Sequence, residues 1–151
     1  MRKITLTFLF VALSVILNAQ SDLFSKVKKS LKETHPEVNF DNHLIAVNVW
    51  SANDAASREA NKQFNKVYGI YEFAKLKGGL KGLICVAINK DGESASIILT
   101  KDGATKVIQL NSIELTGVAN GNVVYDDNGV EVYKNIANDK VFESINKLIT
   151  R

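Results

Sequence analysis

Three polar residues that could form a site follow directly on a short apolar run. Asn53 and Asp54 come after this run, which ends at Trp50, and Ser57 lies at the start of the stretch with helical periodicity that follows. A carboxylate or hydroxyl at a helix start accepts backbone N–H bonds and complements the helix dipole. Helix capping is therefore one interpretation of Asp54 and Ser57. The other is that the loop, together with Trp50 and Asn120, binds a peptide or a partner protein.

A thiol is the second group that could do chemistry, and the chain has a single cysteine, Cys85. This residue lies inside the apolar run 83–88, which is typical of a buried strand, where a cysteine usually acts as a small hydrophobic side chain. No intramolecular disulfide can form. A redox protein that works through the one thiol of Cys85 is the alternative interpretation.

A hydrolytic or metal site is the third hypothesis, because histidine and aspartate are both present. His35 and His43 flank Asp41, but neither histidine lies in a known nucleophile motif, and their spacing matches no standard zinc site. The acidic cluster in residues 126–129 is too short for a calcium loop and is typical of a turn. We therefore expect no metal ion and no cofactor.

Hydrophobic periodicity gives the elements that must position these residues, and their order is that of an α/β protein. The two long apolar runs are of the kind buried on both faces of a sheet. Asn128 and Gly129 are expected to supply positive φ angles in a hairpin turn. The predicted elements are a helix over 21–33, a strand over 44–50, a helix over 55–75, a strand over 82–88, a helix or strand over 93–101, a strand over 106–110, a hairpin of 122–125 and 130–133, and a final helix capped by Asn138.

Two segments of the chain carry a family resemblance. Residues 48–60 read Asn-Val-Trp-Ser-Ala-Asn-Asp-Ala-Ala-Ser-Arg-Glu-Ala. This segment resembles the motif Asn-Phe-Trp-Ala-x-Trp-Cys-x-x-Cys-Arg-x-Glu of the exported bacterial branch of the thioredoxin-like superfamily. Residues 120–129 resemble that family's cis-Pro-Thr-x-Phe-Leu-Ile-Asp-x-x-Gly segment and keep its Asp and Gly as Asp126 and Gly129. The resemblance covers residues 40–150 and implies a thioredoxin-like fold, a central mixed sheet with a C-terminal antiparallel hairpin, flanked by helices.

The departures from the family pattern fall on its reactive positions. The family cysteines align with Asp54 and Ser57, its glutamate with Ala60, and its cis-proline with Asn120. Disulfide exchange needs a low-pKa thiolate and a second, resolving thiol, so we expect no disulfide oxidoreductase activity. A cis bond without proline costs about 2.5–4 kcal/mol, so a trans loop is expected at Asn120. With the reactive residues replaced, the resemblance implies a non-catalytic binding or accessory domain.

The N-terminus predicts export. Met1, Arg2 and Lys3 precede the uncharged apolar run 4–17, which is followed by polar residues; this is the pattern of a cleavable signal peptide, similar to those of some Gram-negative bacteria. The run is shorter than the about 20 apolar residues that span a bilayer. We predict a signal peptide over 1–19, a single domain over 20–151, and a periplasmic or secreted location.

The charge balance narrows the class of partner. The chain has 19 basic and 16 acidic residues, and Arg2 and Lys3 leave with the predicted signal peptide. A long basic run is the electrostatic footprint of nucleic-acid or anionic-lipid binding, and the nearly neutral remainder of the chain has none. We expect no nucleic-acid partner and no stable membrane insertion after cleavage. An envelope protein or peptide is the partner class that the sequence favours.

We expect the protein recovered from the periplasm of a Gram-negative host to begin at Gln20, because Ala19 is the small residue that signal peptidases require before the cut. Intact-mass spectrometry of the periplasmic fraction measures this directly. The variant Ala19→Arg should accumulate uncleaved at the membrane. A wild-type chain that keeps Met1 would contradict the predicted cleavage.

Overall fold

The structure is a computed structural model that describes residues 22–92, 95–111 and 113–150. The predicted signal peptide, residues 1–19, lies outside the described residues. Within the described ranges, no helix has the length and apolar character needed to cross a bilayer.

One mixed sheet organises the described residues, and its strand order is β3-β2-β1-β4-β5. The central strand β1 pairs with parallel β2 on one side and antiparallel β4 on the other. Short β3 extends the parallel side, and β5 completes the antiparallel hairpin. The strands are β1 (His43–Trp50), β2 (Gly82–Asn89), β3 (Ile108–Leu110), β4 (Gly121–Tyr125) and β5 (Glu131–Ile136). The predicted mixed sheet with a C-terminal hairpin is confirmed.

In the described part of the chain, four helices flank the sheet: α1 (22–34), α2 (Ala55–Tyr71), α3 (Ala95–Lys101) and α4 (Val141–Asn146). The segment 93–101, which the sequence left open between helix and strand, is helical from Ala95. Helix α2 ends four residues earlier than periodicity predicts. The chain must leave the helix there because Leu76 is buried and forms an antiparallel bridge with Ile149.

The alternation of side chains along β1 creates two core layers, one on each face of the sheet. Trp50 and the even-numbered apolar residues of β1 pack in the layer of α2 and α4, with Phe64 and Ile145 among its members. Val49 and the odd-numbered residues pack in the layer of α1, with Val27. Because both faces are covered, β1 and β2 are apolar almost throughout, as their sequences predicted.

The expected helix cap at Asn138 is wrong. Asn138 is the first residue of a 3₁₀ turn, Asn138–Lys140, which makes no side-chain cap hydrogen bond, and α4 begins only at Val141. The side-chain oxygen of Asn138 instead accepts a hydrogen bond of 2.8 Å from Nδ2 of Asn122 in β4. A partner distant in sequence has replaced the local backbone partner that a cap would use.

The hairpin turn also differs from its sequence interpretation in one respect. Gly129 has a φ of 85°, but Asn128 is not among the described residues with positive φ. The turn is organised by Asp126, whose Oδ1 accepts hydrogen bonds from the backbone N–H groups of Asn128 (2.9 Å) and Val130 (2.8 Å). A carboxylate that accepts backbone N–H bonds this way forms an Asx turn, which removes the need for a second positive φ.

We expect Gly82→Ala to destabilise the fold by about 1–3 kcal/mol, because a Cβ at this buried first residue of β2 would overlap the ring of His43. That atom would lie 2.5 Å from Nε2 of His43 and 3.2 Å from the backbone oxygen of Glu72. Gly121→Ala, at the first residue of β4, is the matched control, since a Cβ there meets nothing within 4 Å.

Urea denaturation followed by the fluorescence of Trp50, the single tryptophan, measures both changes. The double variant Gly82→Ala/His43→Ala should recover most of the lost stability, because it removes the clashing ring. Equal midpoints for Gly82→Ala and Gly121→Ala would contradict the packing argument.

Candidate functional site

The loop after β1 leads directly into α2, and Asp54 begins the helix. Asp54 has extended backbone angles, and its Oδ1 accepts a hydrogen bond of 3.0 Å from the backbone N–H of Ala56. Its own backbone N–H donates to the Ser51 carbonyl at 3.1 Å. The carboxylate at the family's first cysteine position therefore serves as the N-cap of α2, which was the first of the two interpretations of this residue.

Ser57 lies beneath the loop rather than on its surface, with an exposed fraction of 3%. Its hydroxyl oxygen accepts a hydrogen bond from the Ser51 backbone N–H at 3.2 Å and lies 3.0 Å from the Asp54 carbonyl, to which it donates. Trp50 is fully buried as well. Of the predicted site residues in this loop, Asn53 is exposed and Asp54 half-exposed, so these two are the ones that a partner can reach.

A buried amide that sequence reasoning did not single out fixes the start of α2 from below. Asn48 in β1 donates from Nδ2 to the Ser57 carbonyl at 3.1 Å and to Oδ1 of Asn61 at 2.8 Å. Asn48 and Asn61 are both fully buried. A polar residue in an otherwise apolar strand was the available signal, because a buried amide must find hydrogen-bond partners.

Asp91 holds the same loop from the side, and its role was also missed. Its Oδ2 accepts a hydrogen bond of 2.9 Å from the Ala52 backbone N–H and another from the Ser51 hydroxyl. Asn89 positions Asp91 in turn, since its Oδ1 accepts from the Asp91 backbone N–H at 3.0 Å. The loops after β1 and β2 are thus joined where two parallel strands end at the same sheet edge.

A bidentate ion pair fixes the first turns of α2 to the end of α3. Arg58 donates from Nε to Oδ2 of Asp102 at 2.7 Å and from Nη2 to Oδ1 at 2.5 Å. The hydrogen bond to Arg58 lowers the pKa of Asp102 below its ordinary value, and it raises the pKa of Arg58. The pair therefore stabilises the fold above the ordinary pKa of an aspartate. That contribution is lost as the pH falls through the lowered pKa of folded Asp102.

Asn120 lies on the other side of the end of β1. It directly precedes Gly121, which pairs with Val49, and its side chain is exposed. All peptide bonds between described residues are trans, which confirms the expectation for this loop. Asn120 and Val49 line a cavity of about 250 Å³ that neither Asn53 nor Asp54 lines. The structure therefore places Asn53 and Asn120 at the same end of the sheet but on different sides of β1.

The other candidate groups are not assembled into a reactive site. Cys85 has an exposed fraction of 1%, and burial raises the pKa of its thiol. A ring nitrogen of His35 lies 2.7 Å from the Thr34 hydroxyl, and Nδ1 of His43 lies 2.9 Å from the Asp41 carbonyl. His43 also begins β1 and is thus at the opposite end of the strand from the loop.

No group of three or more His, Cys, Asp and Glu side chains in the described part of the chain has a geometry that could hold a metal ion. The Asp54 carboxylate and the Ser57 hydroxyl are engaged with backbone groups, so neither is presented as a nucleophile. What the arrangement offers is a firmly held loop with exposed amide side chains.

No protein-family model and no curated protein matches the sequence. Solved structures match it in fold. The thioredoxin domain of a thiol-disulfide oxidoreductase from Bacteroides vulgatus superposes with a TM-score of 0.57 and 15% identity, over 74% of this chain and 82% of that one. A thioredoxin-like protein from Parabacteroides distasonis superposes with a TM-score of 0.52 and 20% identity, over 72% of this chain and 86% of that one.

A secreted disulfide oxidoreductase from Mycobacterium tuberculosis superposes with a TM-score of 0.50 and 13% identity, over 72% of this chain and 84% of that one. Each of these three likenesses covers 72% or more of this chain, and they agree on the fold. The chain has the thioredoxin-like fold, as its sequence predicted.

Proposed function

We propose that this chain is an exported, non-catalytic member of the thioredoxin-like proteins that binds a protein or peptide partner in the bacterial envelope. The observation that carries the proposal is the state of the two positions where the family has its cysteines. Asp54 caps α2, and Ser57 is buried and bonded to the loop backbone. Side chains engaged in this way support a scaffold role and argue against disulfide exchange.

The loop has the properties of a recognition surface. Asn53 and Asn120 are exposed amides at the same end of the sheet, and an amide both donates and accepts hydrogen bonds. The loops that carry these two residues are both held in place. Asp91 accepts a hydrogen bond from the Ala52 backbone N–H, next to Asn53, and Nζ of Lys90 donates to the Val118 carbonyl at 2.7 Å, near Asn120. A loop that is already ordered loses little conformational entropy when a partner binds, so few contacts suffice.

The partner class follows from charge and export. The chain carries 19 basic and 16 acidic residues without a long basic run, which does not favour nucleic acid or anionic lipid. A signal peptide over residues 1–19 would bring the domain into the envelope, where proteins and peptides are the available partners. Periplasmic and secreted locations are both compatible with this proposal.

Substitution of the exposed amides should strongly reduce partner capture. We expect Asn53→Arg and Asn120→Arg each to reduce the amount of a cross-linked envelope partner at least about tenfold, because a long charged side chain at the centre of an interface removes a contact and adds an unpaired charge. Capture from envelope extract, followed by mass spectrometry, measures this.

Thr105→Arg is the control, since Thr105 is exposed and precedes β3, at the opposite end of the parallel strands. It adds the same charge away from the loop. A partner retained equally by wild type and by all three variants would contradict the proposal that this loop binds. No captured partner at all would contradict the binding function as a whole.

The alternative of a redox protein with one thiol is tested by the reactivity of Cys85. We expect a thiol-reactive disulfide reagent to modify native Cys85 at least about a thousandfold more slowly than the protein unfolded in guanidinium, because modification requires opening of the core. The thiol is buried, and its pKa is raised by burial. Cys85→Ser is the blank, and equal rates in the native and unfolded states would restore the redox hypothesis.

A further inference from the structure

The cavity beside Asn120 lies on the α1 side of the sheet, at the end of β1. Val49 pairs with Gly121 and Val47 with Val123, so the side chains at these positions point to the same face of the sheet. Val49 and Val123 line the cavity, and Gly121 forms part of its floor. The loop 117–120 provides one wall.

Gly121 keeps this cavity open without being required by the backbone. A Cβ built on Gly121 meets no atom within 4 Å, and Gly121 is not among the glycines with positive φ. Any L-residue can therefore adopt its backbone conformation. Glycine at this position therefore leaves a space that a larger side chain would fill.

The walls of the cavity are held in place. Lys90 donates from Nζ to the Val118 carbonyl at 2.7 Å and so secures the loop wall. On the opposite side, the β4–β5 pairing shifts register between Asn122 and Val124, and Asn135 has a φ of 51°. The irregularity lies in the part of β5 that carries Lys134 and Asn135, both of which line the cavity. Such bulges re-aim side chains next to binding sites.

The lining defines the chemistry of a ligand. Most of the lining side chains are apolar, including Leu23, Val49 and Val123, and Tyr125 adds an aromatic ring. Burial raises the pKa of Tyr125, so its phenol is neutral at neutral pH. Lys134 is the one charged residue among the lining residues. The ligand should therefore combine an apolar group with a carboxylate.

The volume sets the size of the apolar group. An apolar cavity of about 150 Å³ accommodates benzene, and this cavity measures about 250 Å³. It is too small for a drug-sized ligand, since such pockets measure about 300–1,000 Å³. A single apolar side chain of the size of leucine or phenylalanine fits this volume.

We propose that the cavity floored by Gly121 binds the C-terminal residue of a peptide when that residue is leucine or phenylalanine, with its free carboxylate at Lys134. A C-terminal residue is the peptide position that carries an apolar side chain and a carboxylate together. The rest of the peptide leaves the cavity past Asn120, towards the loop of Asn53. The inference rests on the proposed function, because it names the partner's chemistry for the same end of the sheet.

The test uses fluorescence polarisation with a fluorescein-labelled peptide, Gly-Ser-Gly-Ser-Leu, that has a free carboxylate. We expect Gly121→Leu to weaken its binding at least about tenfold, because the new side chain fills the space of the buried leucine. Lys134→Glu should weaken binding about fivefold or more, since the carboxylate then faces a like charge. The C-terminal amide of the peptide and a peptide ending in glycine should both bind more weakly to the wild-type protein.

Matched controls exclude general effects of size and charge. Gly69→Leu adds the same side chain on α2, where only the flexible end of Lys106 is near. Lys81→Glu reverses a charge at an exposed position before β2, at the other end of the sheet. Both variants should bind the leucine peptide as the wild type does. If Gly121→Leu fails to fold, Lys134→Glu and the two altered peptides still decide the question.

Each outcome has a defined meaning. Leucine-peptide binding that is lost with Gly121→Leu and Lys134→Glu supports the inference. No binding to the wild type, or equal binding of the amide and the glycine peptide, overturns it, and the proposed function still stands if Asn53→Arg loses the envelope partner. N-acetyl-leucine that binds as tightly as the peptide would make this a small-acid site and overturn the peptide assignment. Probe binding without any envelope partner would instead contradict the proposed function and leave the cavity assignment intact.

Discussion

The buried side chain of Asn48 is the interaction on which the geometry of this end of the molecule depends. An amide in the centre of an apolar sheet is costly unless it is hydrogen-bonded. Asn48 meets that requirement through Nδ2, which donates to the Ser57 carbonyl and to Asn61, both of which belong to α2, whereas its Oδ1 has no hydrogen-bond partner among the described residues. The first two turns of α2 are therefore fixed in register over β1, and the loop that joins them has little freedom. Asn122, opposite Asn48 in β4, makes the equivalent connection to Asn138 before α4.

The same loop shows how the start of α2 can be stabilised in a thioredoxin-like fold without a thiol at this position. The N-terminus of a helix favours negative charge, which in a redox protein lowers the pKa of a cysteine. Here the Asp54 carboxylate occupies that position and accepts the Ala56 N–H, so the helix end is stabilised by a side-chain hydrogen bond. Ser57, within the first turn, has become part of the loop's hydrogen-bonded support. The same helix-end position that can favour a thiolate can therefore favour a capping carboxylate.

The sequence was sufficient for the elements whose signal is local. The continuous apolar runs around Trp50 and Cys85 predicted two buried strands, and the structure has them as β1 and β2. The prediction of a cap at Asn138 was wrong because its side-chain oxygen accepts a hydrogen bond from Asn122, sixteen residues away. Asp91 escaped notice for a similar reason: its partners, Ser51 and Ala52, are about forty residues earlier in the chain. Long-range pairings of this kind depend on strand order, which periodicity does not encode.

The cavity was equally beyond sequence reasoning, because it is defined by a missing side chain at a register position. Gly121 is an ordinary strand residue until its pairing with Val49 is known. The alternation of β1 then gives its last two residues separate roles. Trp50 faces the α2 layer and supports the loop, whereas Val49 faces the α1 layer and lines the cavity. The end of β1 thus lies next to both the exposed amides and the apolar cavity. Contacts in the cavity and at the amides would reinforce each other only for a ligand that reaches both, so the end of β1 sets the distance over which two weak contacts can combine.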